Sequence, residues 1–211
     1  MQLLIATGNP GKAREFREML GADRFVWRDL SEFTGEQAVP ETGLTFLQNA
    51  CLKASGYANR HRLLTLADDS GLEVDALEGK PGVHSARWAE INHTGRGDAD
   101  NNQTLLRQLE HVPDDQRTAR FVCVLALSDP EGRVILTARD TVEGTILRSP
   151  RGNNGFGYDP LFLVAKFGKT TAELPSEEKH RISHRGKALR WLRELMQQNG
   201  LLDLQGTTPE S

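Results

Sequence analysis

A chain of 211 residues, 37% hydrophobic and 26% charged, is long enough for one sizeable core, with room for two lobes around a cleft. With 26 Lys plus Arg against 29 Asp plus Glu, a net charge of -3, there is no overall electrostatic case for binding nucleic acid polymers or anionic membranes. Cys51 and Cys123 are too few for a disulfide framework or a zinc site and read as two buried structural thiols of a cytoplasmic protein.

The apolar start, residues 1–6, is too short for a membrane span and lacks the basic flank and length of a signal peptide. It reads as a first strand over 3–6. Thr7-Gly8-Asn9-Pro10-Gly11-Lys12 follows, opening a helix over 11–20. Asn9 suits the cap and Pro10 the first helical position, leaving backbone N–H groups free for an anion. Lys12 lies where the helix dipole disfavours a cation, which makes more sense beside a phosphate. The spacing is neither that of a P-loop nor that of a dinucleotide fingerprint. An ordinary capped turn is the competing reading.

A strand over 25–28 precedes Glu41-Thr42-Gly43-Leu44-Thr45-Phe46 and a helix over 44–61. Asn49 and Lys53 fall on one helical face beside the apolar stripe Phe46, Ala50, Ala54 and Tyr57, so the polar pair can line a cleft. Glu41 reads either as a third acid for a metal or as a favourable charge near a helix start. A strand over 63–67 then runs into Ala67-Asp68-Asp69-Ser70-Gly71. Adjacent carboxylates at the carboxyl edge of a strand, just before a Ser-Gly break, point to a bound cation at the place where α/β proteins keep ligands. The alternative is a solvated acidic turn.

Residues 98–111 read as a helix, and 120–128 and 134–147 as strands joined by the turn Asp129-Pro130-Glu131-Gly132. That hairpin requires antiparallel pairing and hence a mixed sheet. In the segment from Arg151 to Pro160, glycines 152, 155 and 157 permit positive φ and leave Phe156 and Tyr158 free to stack on a flat ligand, or else to fold back onto the core. Ser183 is the expected cap of a helix over 183–199, with His184 and Arg185 in its first turn. Trp27, Trp88 and Trp191 read as packing residues. Residues 1–205 form one α/β domain, a mixed twisted sheet with flanking helices and two lobes, and 206–211 a frayed tail.

Six motifs, Thr-Gly-Asn-x-x-Lys, Glu-Thr-Gly-x-Thr-Phe, Ala-Asp-Asp-Ser-Gly-Leu, Pro-Gly-Val-His-Ser-Ala-Arg, Gly-Phe-Gly-Tyr-Asp-Pro and Ser-His-Arg-Gly, occur in that order over most of the chain. Together they resemble the inosine triphosphate pyrophosphatase family, the non-canonical purine nucleoside triphosphate pyrophosphatases. The resemblance implies a two-lobed mixed α/β fold, a homodimer, and hydrolysis of inosine, deoxyinosine and xanthosine triphosphates to the monophosphate and pyrophosphate. It implies that Thr7, Gly8, Asn9, Pro10, Gly11 and Lys12 hold the triphosphate, assisted by Lys53, and that Ser70 contacts the substrate next to the acids. Asp69 is then the catalytic carboxylate, with Glu41 and Asp68 its neighbours at Mg2+, while Phe156, Gly157, Tyr158, Asp159, Lys179, His184 and Arg185 form the base pocket. Gln48 replaces a common Glu, and Arg151 with Asn153-Asn154 makes the loop before Phe156 more polar. His84 and Arg87 are left open between bracing the loop and touching ligand. A pyrophosphatase for other modified nucleotides, or a nucleotide-binding module without turnover, are the alternatives.

Overall fold

The computed structural model describes residues 1–21 and 24–202; the expected tail, 206–211, lies outside the described residues. In chain order the elements are β1 (Gln2–Ile5), α1 (Pro10–Leu20), β2 (Val26–Asp29), α2 (Phe46–His61), β3 (Leu64–Val74), α3 (Trp88–Ile91), α4 (Gly97–Gln108), β4 (Thr118–Ser128), β5 (Val134–Ile146), β6 (Phe162–Val164), β7 (Lys169–Thr170), α5 (Ser176–Ile182) and α6 (His184–Gln198). The seven strands form one open sheet in the order β2-β1-β3-β4-β5-β6-β7. β1 runs parallel to β2 and β3, whereas every pair from β3–β4 to β6–β7 is antiparallel, so the sheet is mixed as the hairpin signal requires.

Local chemistry accounts for the element ends. The Asn9 side chain accepts the Gly11 and Lys12 N–H groups at the start of α1, with Pro10 in the first turn, and Thr45 caps α2 by accepting from Gln48. Asp129 Oδ1 accepts the backbone N–H groups of Glu131 and Arg133, and Gly132 supplies φ 82°, which closes the β4–β5 turn. The short β6, β7, α3 and α5 carry too little periodicity to be read from sequence.

Alternation along the strands sends residues to two faces. On one face Leu3, Ile5, Leu64 and Leu66 pack with Phe16 and Leu20 of α1 and Leu189, Leu192 and Met196 of α6. Each such leucine withdrawn from water contributes about 1.5–3 kcal/mol. Farther along β3, Leu72 and Val74 join Phe121, Leu105, Leu109 and Phe162 in a second cluster. On the other face Leu4, Ala67, Val122 and Val124 meet Phe46, Ala50, Ala54 and Tyr57 of α2, the stripe expected from its spacing.

One boundary differs in a way that matters. The expected strand over 63–67 does not stop at a Ser-Gly break. β3 continues to Val74 because β4 pairs with it throughout, from Thr65↔Ser128 to Val74↔Ala119. β1 pairs only as far as Ile5↔Leu66, so from Ala67 to Gly71 the β1-side edge of β3 has no partner strand; farther on, Leu72 N–H bonds Ser85 Oγ and Val74 N–H bonds the Lys80 carbonyl. Asp68 and Asp69 are therefore mid-strand, beside an opening in the sheet.

Two smaller expectations change. Cys51 is half-buried on α2 rather than in the core, while Cys123 is buried; both are free thiols. Trp191 is 47% exposed, unlike the buried Trp88 and the partly buried Trp27, because it lies on the outer side of α6. Among the described residues no helix is long and apolar enough to cross a membrane.

Gly71 is where the Gly82–Arg87 turn meets β3: an added Cβ would strike Ser85 Oγ, the Gly82 carbonyl and the Phe46 ring. Ser85 Oγ itself accepts from the Leu72 N–H at 2.9 Å and donates to the Gly82 carbonyl at 2.6 Å. Gly71→Ala should destabilise the fold by on the order of 1–3 kcal/mol through overpacking, measurable as a lower midpoint in urea unfolding.

Candidate active-site cleft

A cleft of about 780 Å³ opens where β1 ends and the edge of β3 is free. Its walls include Thr7, Gly8, Asn9 and Lys12 from the β1–α1 turn, Glu41, Asn49 and Lys53 from α2 and the strand of chain before it, and Asp69 and Ser70 from β3. Phe156, Gly157, Tyr158, Asp159, Lys179, His184 and Arg185 complete the far wall. Of the residues singled out by sequence, Pro10, Gly11 and Asp68 are not part of the lining.

The β1–α1 turn departs from the expectation of free N–H donors. Thr7 N–H bonds the Ile5 carbonyl, Asn9 N–H bonds Thr7 Oγ1, and the Gly11 and Lys12 N–H groups bond Asn9 Oδ1 at 2.9 and 3.2 Å. The short side chains of Thr7 and Asn9 thus engage the amides of Asn9, Gly11 and Lys12. What the turn does offer is the Lys12 ammonium and open space at exposed Gly8, where an added Cβ would meet nothing within 4 Å.

Because neighbours on a strand point to opposite faces, the two aspartates do not share one environment. Asp68 lies on the face of α1 and α6, 1% exposed, between the two apolar clusters. Its Oδ2 accepts from Lys12 Nζ at 2.6 Å and from Ser70 Oγ at 2.8 Å, with Arg185 Nε 4.0 Å away. Burial raises its pKa, but Lys12, Arg185 and Lys53 outweigh burial and hold the carboxyl well below the usual range. Arg185 in turn donates to Glu15 at 2.6 Å, a buried carboxylate one turn along α1 from Lys12. Sequence reading passed over Glu15; its signal was an acid among the buried positions Ala13, Phe16 and Leu20 of α1.

Asp69 lies on the α2 face. Its Oδ2 accepts from Asn49 Nδ2 at 3.1 Å and its Oδ1 is 3.6 Å from Lys53 Nζ, which also donates to Glu41 at 2.8 Å. Burial raises the Asp69 pKa, against the opposing pull of Lys53 and Asn49. Burial depresses Lys53, yet the charges of Asp68, Asp69 and Glu41 leave it raised, a firm cation between two carboxylates. The expected trio of Glu41, Asp68 and Asp69 is thus divided by the strand. Among the described residues no three His, Cys, Asp or Glu side chains are grouped to hold a metal ion.

At the far wall, Gly152, Gly155 and Gly157 all have positive φ, as expected. At Gly155 an added Cβ would collide with the Asp159 carboxylate, which draws the loop inward. Asp159 Oδ2 accepts from the Phe156 N–H at 2.9 Å and from Lys179 Nζ at 2.6 Å, and its Oδ1 accepts from Thr171 Oγ1 at 2.7 Å. The two aromatics part company. Phe156 is 37% exposed, with Lys179 Nζ and Arg185 Cζ 5.3 and 5.6 Å from its ring centre. Tyr158 is buried and donates its hydroxyl to the Ser85 carbonyl at 2.9 Å, so it braces rather than stacks. Ser85 does the bracing within the motif that contains His84 and Arg87, both of which are exposed along the cleft. His184 stacks on Phe121 with ring centres 5.0 Å apart; burial, Arg185 and Lys179 push its pKa well below 6.5, so it is neutral and Arg185 is the cation of that turn.

The cleft beside β3 sets Asp69 next to Lys53, with Lys12 in the same lining and the Phe156 loop opposite, and comparison with known proteins places the chain in a class of hydrolases acting on nucleoside triphosphates. Residues 3–195 match the model of the Ham1 family, and the chain belongs to that family. A dITP/XTP pyrophosphatase of Desulforamulus reducens is 50% identical over 196 residues, covering 93% of this chain and 96% of that one. One from an Exiguobacterium species is 51% identical over 192 residues, 91% of this chain and 95% of that one. A HAM1 protein structure from Coxiella burnetii superposes with a TM-score of 0.84 at 41% identity, covering 94% of this chain and 99% of the other.

Removing the Asp68 charge strands Lys12 and leaves the buried Arg185 with Glu15 as its remaining carboxylate partner. Asp68→Asn should cost on the order of 3 kcal/mol at pH 7 in urea unfolding. Because the folded pKa lies below the unfolded value of about 3.9, this stabilisation is present above that pH and fades as pH falls further, so the two proteins' stabilities should converge in acid.

Proposed function

We propose that the cleft hydrolyses non-canonical purine nucleoside triphosphates, dITP, XTP and ITP, to the nucleoside monophosphate and pyrophosphate, and so cleanses the nucleotide pool. The names of the relatives support the substrate class. The observation that carries the chemistry is Asp69, a buried carboxylate with a raised pKa, facing Lys53 between the Lys12 end and the Phe156 end of the cleft. A raised pKa suits a base that must take a proton near neutral pH.

In this reading Lys12 and Lys53 draw the triphosphate into the turn after β1, and Asp69 orients a water and accepts its proton as the oxygen bonds the α-phosphorus. The bond from that phosphorus to the bridging oxygen breaks and its electron pair leaves with pyrophosphate. Asn49 keeps the Asp69 carboxylate aimed. Phe156 offers a face to the base, and Lys179, held by Asp159, donates toward the 6-oxo group that adenine lacks.

The residues fit Mg2+ in part. Lys53 Nζ stands between Glu41 and Asp69, so a cation already suits that gap, and two carboxylates plus phosphate oxygens are customary magnesium ligands. Glu41 and Asp69 would hold the ion, which when bound neutralises phosphate charge. Asp68 lies behind the cleft lining, committed to Lys12, and fits a counter-ion role instead. A cytoplasmic homodimer belongs to the same reading; the two unpaired thiols and the family membership support it.

With magnesium present, inosine triphosphate should yield pyrophosphate as first product under direct pyrophosphate detection; orthophosphate appearing first would overturn the proposal. Asp69→Asn should lower kcat at least a thousandfold while nucleotide binding by calorimetry stays within about tenfold. Lys179→Ala should lower the ratio of ITP to ATP turnover by roughly tenfold or more in parallel steady-state assays.

A further inference from the structure

The sequence offers α4 only as a helix, and none of the six motifs reaches it. Its position is nevertheless unusual. The carboxyl half is anchored by Leu105 and Leu109 in the second apolar cluster. Buried Asn101 fixes the middle, accepting the Ala89 N–H at 2.8 Å and donating to the Ala86 carbonyl at 3.1 Å. The amino half then presents Asp98 and Asn102, one turn apart on one face.

Both grip a single residue. Asp98 Oδ2 accepts the Gly157 N–H at 2.7 Å, and Asn102 Nδ2 donates to the Gly157 carbonyl at 2.8 Å. Asn102 Nδ2 also bonds the Asp98 backbone carbonyl at 2.8 Å, which steadies the pair. Gly157, with φ 62°, is the residue between Phe156 and Tyr158. Its two neighbours are held by other means: Phe156 N–H and Lys179 by Asp159, and the Tyr158 hydroxyl by Ser85. Gly157 has its grip only from α4 among these contacts. Phe156 lies close enough to the β1–α1 turn that a Cβ at Gly11 would be 3.9 Å from its ring, so the loop's placement sets the width of the cleft. Asp98 itself lines that cleft.

We infer that Asp98 and Asn102 are positioning residues that latch the backbone of Gly157 on both sides of its Cα and thereby set the pose of Phe156 against the substrate's base. This rests on the reading of the Phe156 loop as the base-holding wall. The N–H belongs to the Phe156–Gly157 peptide and the C=O to the Gly157–Tyr158 peptide, so the two bonds fix the planes on both sides of Gly157, and the Phe156 ring on the first of them follows. The acceptor is charged, which makes its bond the stronger of the two. Loss of either contact should loosen the base end and leave the phosphate end alone.

Two measurements on the full chain test this, with circular-dichroism melting as a check that the variants fold. Amide exchange at Gly157, by NMR or by mass spectrometry of a peptide covering 155–158, should be at least tenfold faster in Asp98→Ala and Asn102→Ala, while Leu105 exchange is unaltered. In steady state both variants should raise KM for inosine triphosphate about tenfold. The inhibition constant of inorganic tripolyphosphate, which has no base, should stay within twofold. The double variant should be little worse than the singles, because both act on the one residue, Gly157. Asp98→Asn keeps an acceptor oxygen and should bring KM back to within threefold of wild type. Unchanged exchange at Gly157, an unchanged KM, or equal rises in KM and in the tripolyphosphate constant would each overturn the latch. A wild-type protein that released no pyrophosphate would sink the proposed function instead, and the exchange experiment would still judge the latch.

Discussion

Everything at the cleft depends on β3 outlasting β1. A parallel pair that ends at Ile5↔Leu66 leaves the next stretch of β3 hydrogen-bonded on the β4 side alone. Strand alternation then divides two consecutive aspartates between the faces of the sheet. Each acid is answered by different helices: Asp68 by Lys12 of α1 and Arg185 of α6, Asp69 by Asn49 and Lys53 of α2 alone. Had the strand ended at Ala67, both carboxylates would have shared one turn, and a cation between them would have been the natural solution.

The division gives the two acids different characters. Asp68 is a buried counter-ion whose neighbours hold it ionised, and it keeps Lys12 and Arg185 in place at the edge of the cleft. Asp69 faces open space, with burial raising its pKa and one lysine restraining the rise. A basic carboxylate and a firmly charged lysine side by side are the equipment of proton transfer next to a phosphate. The face that carries Asp68 also carries apolar clusters on both sides, so the polar centre is insulated without being sealed.

The opposite wall shows how a flexible sequence becomes a rigid surface. Gly152, Gly155 and Gly157 give the loop its positive φ angles, and Asp159, Thr171, Lys179, Ser85, Asp98 and Asn102 then remove its freedom one hydrogen bond at a time. The result exposes one aromatic ring, Phe156, and turns its companion Tyr158 inward. Flexibility in the chain and order in the fold are compatible here because the restraints come from elsewhere in the sequence.

Much was legible in the residues alone. The period of α2, the Asn9-Pro10 and Ser183 caps, the turn at Asp129 to Gly132 and the positive-φ glycines are local properties, written in side-chain size, caps and backbone preference, and they determined the element types and the mixed sheet. The ordered motifs likewise pointed to the right family. What only the tertiary structure decided is non-local: the length of β3, set by pairing with β4; the separation of Asp68 from Asp69; the engagement of the turn amides by Asn9; the inward turn of Tyr158; and the partners Glu15, Ser85, Asp98 and Asn102. Each depends on which distant segment lies alongside, and a sequence carries no distance between residues until the chain has closed on itself.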